Sequence, residues 1–530
     1  MKITSLLLAV AALANSGIQA KQSDVPWKHL SISAPVNGRH LHRTITGEPF
    51  FWQADTAWEL FHRLNRSDID FYLRDRASKG FNVIQSVVIP ELNGTTFPNF
   101  YGQLPIFDAD PTRPNEAYFE HVDWAAKRAA EYGILIALVP TWGMYVNCGW
   151  HNGPVIFNKT TAEMWGEYIG RRYPGLPKII GADSNAFWSC NTSAAMNAFF
   201  ANPTLDPNTL LSPIEDTRDI WSNMVRGFNK SEAAAGFQAF YTWHPTGAWR
   251  STPDTGLAYG HNYMNGSFGR LSMDGVQSGH TIPDPNTIQF TPLTSWDSTK
   301  NYENTAAMRA AFSGPVVDLE NHYEGAFVGF NTSRPLWNDS VVRHGLWSAV
   351  LSGSAGFTYG ANAIWQFYAP LDQLARPDLF IEPQIAQPAN QSWRDALKFP
   401  GSQQAGYVQK LFSKLDKTTF NAMEPDRSFI VEKDVLAFEA NRYVAASIST
   451  DRYWVYTGFG DTFSLNLDSL GSHLKAPSAK AQAQWYDPRS GRSRNVTEGA
   501  IFALKGSKTF VPPTSGSVDH DWVLELQVEK

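Results

Sequence analysis

The chain has 530 residues, 43% of them hydrophobic, enough for a large domain and a smaller second one. Lys and Arg total 44 against 50 Asp and Glu, a net charge of -6. No basic run exceeds a few residues, which argues against a nucleic-acid partner.

Residues 1–20 read as a secretory signal. Lys2 gives the positive start, Leu6 to Leu13 the apolar stretch, and Ala20 the small residue at the cut. That stretch is too short to span a bilayer, and no other run is long enough. The expectation is an exported, soluble monomer with no membrane partner. Ten Asn-x-Ser/Thr sequons agree with a eukaryotic secretory route: Asn65, Asn93, Asn158, Asn191, Asn229, Asn265, Asn331, Asn338, Asn390 and Asn495. Nineteen Trp and nineteen Tyr suit a carbohydrate partner, since flat aromatic faces stack on sugar rings. Cys148 and Cys190 are the two cysteines, and an oxidising compartment predicts a disulfide between them, tying two loops beside the site.

From about residue 45 to 370, strand and helix patterns alternate. Strands are expected over Pro49–Gln53, Phe81–Ile89, Ile134–Val139, Ile179–Ile180, Gly236–Thr242, Leu271–Val276, Val316–Leu319 and Gly356–Tyr359. Between them, Ser67 is a candidate cap for a helix to Ser78, and Asn115 for one that Gly133 stops. Thr160-x-x-Glu163 resembles a capping box, and residues 213–227 and Val342–Leu351 look helical. Eight continuous apolar strands with intervening helices predict an α/β fold, a (β/α)8 TIM barrel spanning residues 21–400. A doubly wound sheet would carry a Gly-rich phosphate turn after its first strand, and none is visible. Residues 371–400 read as a linker, and Gln404–Leu415 as a bridging helix within 401–424. From 425 to 530, short alternating segments with no helix between them predict a small antiparallel β-sandwich.

In a barrel, residues at the C-terminal ends of the strands meet over one pocket. Read in order, these ends give Asp55, Trp58, Glu91, Trp142, Asp183, Trp243, His244, Gln277, His280, Glu320, Tyr323 and Trp365. Two positioned carboxyl groups without a metal motif point to glycosidic-bond cleavage. One protonates the leaving oxygen, and the other attacks the anomeric carbon or activates water. Asp183 and Glu320 are the expected pair. Asp55, Trp58, Trp142, Trp243, His244, Gln277, His280, Tyr323 and Trp365 are the expected sugar-binding set. No cofactor and no metal are expected.

Several stretches resemble the apiosidase-like glycoside hydrolases (family 140 and relatives). They are Phe-Trp-Gln-Ala-Asp-Thr-Ala-Trp-Glu-Leu-Phe-His-Arg-Leu (51–64), Lys-Gly-Phe-Asn-Val-Ile-Gln (79–85), Pro-Thr-Trp-Gly (140–143), Gly-Ala-Asp (181–183), Gln-Ser-Gly-His (277–280) and Asp-Leu-Glu-Asn-His-Tyr-Glu-Gly (318–325). Trp-Tyr-Asp-Pro-Arg-Ser-Gly (485–491) and Asp-His-Asp-Trp-Val-Leu (519–524) resemble the terminal module of that family. The resemblance implies a retaining mechanism, with the acid/base Asp183 on the fourth strand and the nucleophile Glu320 on the seventh. It also implies a plant cell-wall polysaccharide or its side chains as substrate, an apiose branch of pectin being one example. Ala182 stands where the family usually carries a second Gly. The alternative reading is a non-catalytic carbohydrate-binding protein on the same scaffold.

Four further residues or pairs compete for a role. Asp318 should face the same way as Glu320 and act as a buried partner. Glu324 is the rival nucleophile. Glu91 ranks low because sequon Asn93 lies beside it. His40-x-His42 could hold a metal, but the flanking Arg39 and Arg43 oppose a cation, so a surface strand is expected.

Overall fold

The computed structural model describes residues 25–149, 153–191, 215–246, 258–280, 282, 299–370, 389–434, 440–496 and 501–529. The proposed leader, residues 213 and 214 of the helix expected over 213–227, residues 371–388 of the expected linker and the strand expected over 435–438 lie outside them.

Eight short parallel strands occur in chain order: β1 (Trp52–Thr56), β2 (Val83–Val87), β3 (Leu135–Val139), β4 (Lys178–Ser184), β5 (Tyr241–Pro245), β6 (Asp274–Gln277), β7 (Val316–Glu320) and β8 (Gly356–Tyr359). Nearly every residue in them is buried, as expected for a parallel sheet covered on both faces. The ladder is not one continuous ring. Six strands pair in the order β8-β1-β2-β3-β4-β5, while β6 and β7 pair separately. Single backbone hydrogen bonds bridge the two seams: Ser272 N to Tyr241 O at 2.9 Å, and Ala355 N to Val316 O at 2.8 Å. The sheet is thus a curled parallel one, and the expected barrel is met in part.

The covering helices include α1 (Arg66–Ser78), α2 (Glu116–Glu131), α3 (Lys159–Arg172), α4 (Arg218–Ala234), α5 (Asn301–Ala311) and α6 (Asp339–Leu351). Asn side chains start most of them. Asn65 accepts from Asp68 N and Asn338 from Val341 N, while Asn158 forms a capping box with Thr161. Ser67 and Thr160, the caps expected from sequence, lie inside the first turn instead. Asn115 caps α2 as expected.

The expected linker is only partly testable, and its described end is packed. Trp393 is fully buried, 5.5 Å from the Phe367 ring. Helix α7 (Pro400–Phe412) then packs against the turn that ends α1. A Cβ on Gly406 would lie 1.9 Å from Lys79 O, so only glycine permits this approach.

The C-terminal unit is an antiparallel sheet that includes β9 (Val444–Ile448), β10 (Arg452–Thr457), β11 (Lys480–Asp487) and β12 (Trp522–Val528). Alternation gives it two buried faces. Tyr453 and Val455 turn into the core of the unit, while Trp454 and Tyr456 join the core of the barrel-like domain. The second layer is smaller than a sandwich requires. It is a two-stranded sheet (Phe463–Asn466 with Ser507–Phe510) and a helix, Leu467–His473, that the sequence pattern did not announce. The strand expected over 428–431 is a turn with one bridge, Ile430 to Leu465.

Helix α6 is buried between the two units. Its Trp347 ring stacks 6.0 Å from Tyr456, and its Arg343 guanidinium reaches Asp521 at 3.0 Å, Gln404 at 2.9 Å and Asp339 at 2.5 Å. His42 lies on a short strand, Leu41–Arg43, and meets Asn421 Oδ1 at 2.8 Å, while His40 Nε2 meets Met423 O at 3.2 Å. Both therefore pin the amino-terminal strands to the inter-unit segment. Nine of the ten sequon asparagines are exposed, and Asn65 is half-buried. Among the described residues, no helix is long and apolar enough to cross a membrane.

Candidate active site

Glu320 is the last residue of β7 and is 5% exposed. Its Oε1 accepts from Gln277 Nε2 at 2.7 Å and lies 2.8 Å from His280 Nε2. His280 Nδ1 accepts the Tyr323 N–H at 3.3 Å, so the ring proton sits on Nε2 and is donated to Glu320. Glu320 Oε2 faces His244 Nε2 at 3.4 Å, and Tyr323 also hydrogen-bonds the carboxylate. Trp58 Nε1 donates to the Tyr323 hydroxyl at 3.1 Å, leaving the tyrosine proton for Glu320.

These contacts decide the charge. Burial alone would push the Glu320 carboxyl up, but His244 and His280 outweigh it and hold the group well below the usual carboxylate range. Burial would likewise lower His244, but its contact with Glu320, then the Glu320 and Asp183 charges, raise it. Nδ1 of His244 donates to Pro245 O at 3.1 Å, and Nε2 faces the carboxylate at 3.4 Å, an arrangement that favours the charged ring.

Asp183 lies one residue before the end of β4, half-buried. The strand irregularity between Ile180 and Ser184 and a φ of +51° turn its side chain out of the regular alternation. Gly181, at φ +82°, is required just before it, because a Cβ there would lie 2.4 Å from the Trp243 indole. Ala182 needs no such freedom, having no positive φ, which explains why alanine is accepted in place of the second glycine. The Asp183 charge acts on His244 and Tyr323, as the Glu320 charge does. The loops after β3 and β4 hold it from behind. Gly143 N donates to Ala182 O at 3.1 Å, Ser184 Oγ to Asn147 Oδ1 at 2.9 Å, and Cys148 and Cys190 form a disulfide.

The aromatic wall follows. Trp58 lies 5.7 Å from Trp142 and 5.6 Å from His244, both edge-on, and Tyr323 stacks 6.2 Å from Trp365. Trp58, Trp142, His244, Gln277, His280, Tyr323 and Trp365 therefore gather around Glu320.

Two expected sugar-binding residues do not. Asp55 is fully buried against α1, paired with Arg76 Nε at 2.5 Å and Tyr72 Oη at 2.5 Å. Trp243 is also fully buried, packed on Trp221 of α4 and on Tyr263. Trp243 and His244 are adjacent in β5 and must point to opposite faces, so only one could reach the site. Asp55 and Trp243 are thus assigned to the packing between strands and helices.

The competitors resolve similarly. Asp318 accepts from Asn301 of α5 at 2.8 Å and from Asn321 at 3.2 Å. A register shift between Asp318 and Glu320 breaks the expected alternation, and Asp318 fixes the strand end by accepting from the Ser278 and Glu320 N–H groups. Glu324 is taken by Tyr359 Oη at 2.6 Å and Gly401 N at 3.2 Å, away from the cluster. Burial raises it to about 7. Glu91, ranked low from the sequence, and Glu59, not singled out there, are two further acids after the strands. Both are buried, and the charges of Glu59 and Asp183 both act on Glu91. Isolated acids in the apolar segments just after β1 and β2 were the signal available.

A profile described as the apiosidase-like catalytic domain matches residues 35–419. The chain belongs to the apiosidase-like family. That membership supports glycosidase activity for this apiosidase-like protein, with a carbohydrate as substrate. A second profile, described as a putative collagen-binding domain of a collagenase, matches residues 425–527. Among solved structures, a glycoside hydrolase is 24% identical with a TM-score of 0.74, covering 95% of this chain and 98% of its own. A glycoside hydrolase family 5 structure from Bacteroides vulgatus ATCC 8482 is also 24% identical with a TM-score of 0.74, covering 95% and 94%. A putative glycoside hydrolase from the same organism is 12% identical with a TM-score of 0.55, covering 95% and 83%. At these identities the likeness concerns the fold. No curated protein matches the chain.

Proposed function

We propose that the protein is a secreted, monomeric, retaining glycoside hydrolase of plant cell-wall polysaccharide or its side chains, working without metal or cofactor. The observation that carries the reading is Glu320, a buried carboxylate at a strand end, held ionised by His244 and His280, with the Asp183 charge acting on the same His244. Closure of the eight strands into a (β/α)8 barrel is part of this reading, supported by the two seam hydrogen bonds.

The chemistry follows from the charges. Glu320 attacks the anomeric carbon as the glycosidic bond breaks, while Asp183 gives its proton to the departing oxygen. Asp183 then takes a proton from water, which attacks the same carbon and releases Glu320. A carboxylate stabilised by two histidines is also a good leaving group in that second step. Trp58, Trp142 and Trp365 offer apolar faces for the sugar.

The experiment is to incubate the protein with aryl glycosides and pectic fragments and follow the first-formed product anomer by NMR. The reading expects the substrate's own anomeric configuration. It also expects a 2-deoxy-2-fluoro glycoside to label Glu320, seen as a peptide mass shift. Inverted product would overturn retention, and labelling elsewhere would overturn the nucleophile.

A further inference from the structure

Glu91 lies four residues beyond β2 and is 7% exposed. Its Oε2 is buried with no hydrogen-bond partner. An orphaned carboxyl oxygen of this kind carries an uncompensated desolvation cost unless a ligand supplies the missing bond. The groups acting on it come from two other segments: Glu59 and Arg63 after β1, and Asp183 on β4. Tyr145, after β3, also senses the charge of Glu91. Glu59 has its Oε2 taken by His62 Nδ1 at 2.6 Å, with Arg63 Nε at 3.6 Å, while its Oε1 is buried and unpartnered like Glu91 Oε2. Tyr145 Oη is spent on Pro90 O at 3.0 Å. Trp142 N donates to Ile89 O at 3.1 Å, so the segment that carries Glu91 is tied to the loop of Trp142, and one oxygen of the Glu91 carboxyl is left unused.

We propose that Glu91 is a specificity-determining residue of the sugar site, its free Oε2 hydrogen-bonding one hydroxyl of the sugar held beside Asp183. This rests on the glycosidase reading and deepens it. Burial, then the negative charge of Glu59, push the Glu91 carboxyl well above the usual range, and Asp183 adds to this. These effects disfavour the ionised form, and a protonated carboxyl both donates and accepts. A neutral hydroxyl also donates and accepts, so it satisfies the carboxyl without adding charge. A carboxylated sugar at this position would face Glu59 and Asp183, so the ligand chemistry is a neutral sugar.

The test uses the full chain with 4-nitrophenyl glycosides of neutral pentoses and hexoses, and the monodeoxy analogues of whichever the wild type hydrolyses best. Glu91→Ala should lower kcat/KM by about 10- to 100-fold, mostly through KM. One deoxy analogue should lose that penalty, because it lacks the partner hydroxyl. Glu91→Gln, which keeps a donor and an acceptor in the same volume, should lose less than Glu91→Ala on the parent glycoside. It serves as the readout if Glu91→Ala fails to fold. Equal losses on every analogue, or a kcat/KM for Glu91→Ala within about two-fold of wild type, would overturn the proposal. Calorimetric titration with the same glycosides separates the two ideas. If the wild type binds but does not turn over, the glycosidase reading fails, while weakened binding by Glu91→Ala still supports the Glu91 assignment. Binding of none of these glycosides by the wild type would overturn both.

Discussion

His244 touches Glu320 with one ring nitrogen, at 3.4 Å, and Pro245 O with the other, at 3.1 Å. A ring that donates through Nδ1 and faces a carboxylate through Nε2 is favoured as an imidazolium, and that charge helps keep Glu320 ionised. The two shifts run in opposite directions, His244 up and Glu320 down. The His244 contribution to stability is present below its ordinary value of about 6.5 and is lost as pH rises through the raised one. The Glu320 contribution is present above its ordinary value of about 4.3 and is lost as pH falls through the lowered one. Between those limits the pair is intact.

His244→Asn removes the cation and leaves a neutral amide. The acid limb of kcat/KM against pH should then move up toward about 4.3, the ordinary glutamate value. Activity at a mildly acidic pH should fall about 10- to 100-fold, more than at neutral pH. An unmoved acid limb would mean that His244 carries no charge in the working enzyme.

The carboxyl groups of Asp183 and Glu320 should stand about 5–5.5 Å apart in a crystal structure with a bound sugar, the retaining separation; a gap of about 6.5–9.5 Å would indicate inversion. Asp183→Ala should cost about 10²- to 10⁴-fold in kcat on unactivated saccharides. Aryl glycosides with acidic phenols should lose much less, since their leaving group needs no proton. Equal losses on both substrate classes would remove Asp183 from the acid role.

Glu320, Gln277, His280, Tyr323 and Trp58 were legible because a strand end is a position in the sequence as well as in space. Asp55 and Trp243 were misread for one reason. Which face a strand residue takes depends on register, and the apolar runs Phe-Trp-Gln-Ala and Tyr-Thr-Trp-His look alike from either side. Asp318, expected as a buried partner, is 1% exposed and accepts from Asn301 and Asn321, although a register irregularity interrupts the alternation between it and Glu320. Glu59 and Glu91 sit in turns after the strands, where no periodicity points. The helix Leu467–His473 was missed because seven residues are too few for a 3.6-residue period to stand out. The amphipathic helices flanked by Gly and Asn were read with small errors at their first turns.

The junction between the two units depends on Arg343, which is 2% exposed and bonded to Asp521, itself 1% exposed. Arg343→Ala strands a buried carboxylate and should destabilise the protein by about 3–5 kcal/mol. Arg343→Met with Asp521→Leu removes both charges and should recover most of that loss. Calorimetry checks this. A single variant as stable as the wild type would mean that the ion pair contributes nothing to docking the C-terminal sheet.

The disulfide makes a separable prediction. Cys148 and Cys190 lie 42 residues apart, so the bond removes loop entropy from the unfolded chain worth up to about 4 kcal/mol. Their segments follow Trp142 and Asp183, and Ser184 Oγ already donates to Asn147 Oδ1 across the same gap. The covalent link therefore restrains the acid side of the site, while Glu320, on β7, is held by other contacts. Cys148→Ser with Cys190→Ser should lower the unfolding temperature by several degrees. It should also lower kcat more on unactivated saccharides, which need Asp183, than on aryl glycosides with acidic phenols. The fluoro-glycoside should still label Glu320. Equal effects on both substrate classes would mean that the bond stabilises the fold without positioning Asp183.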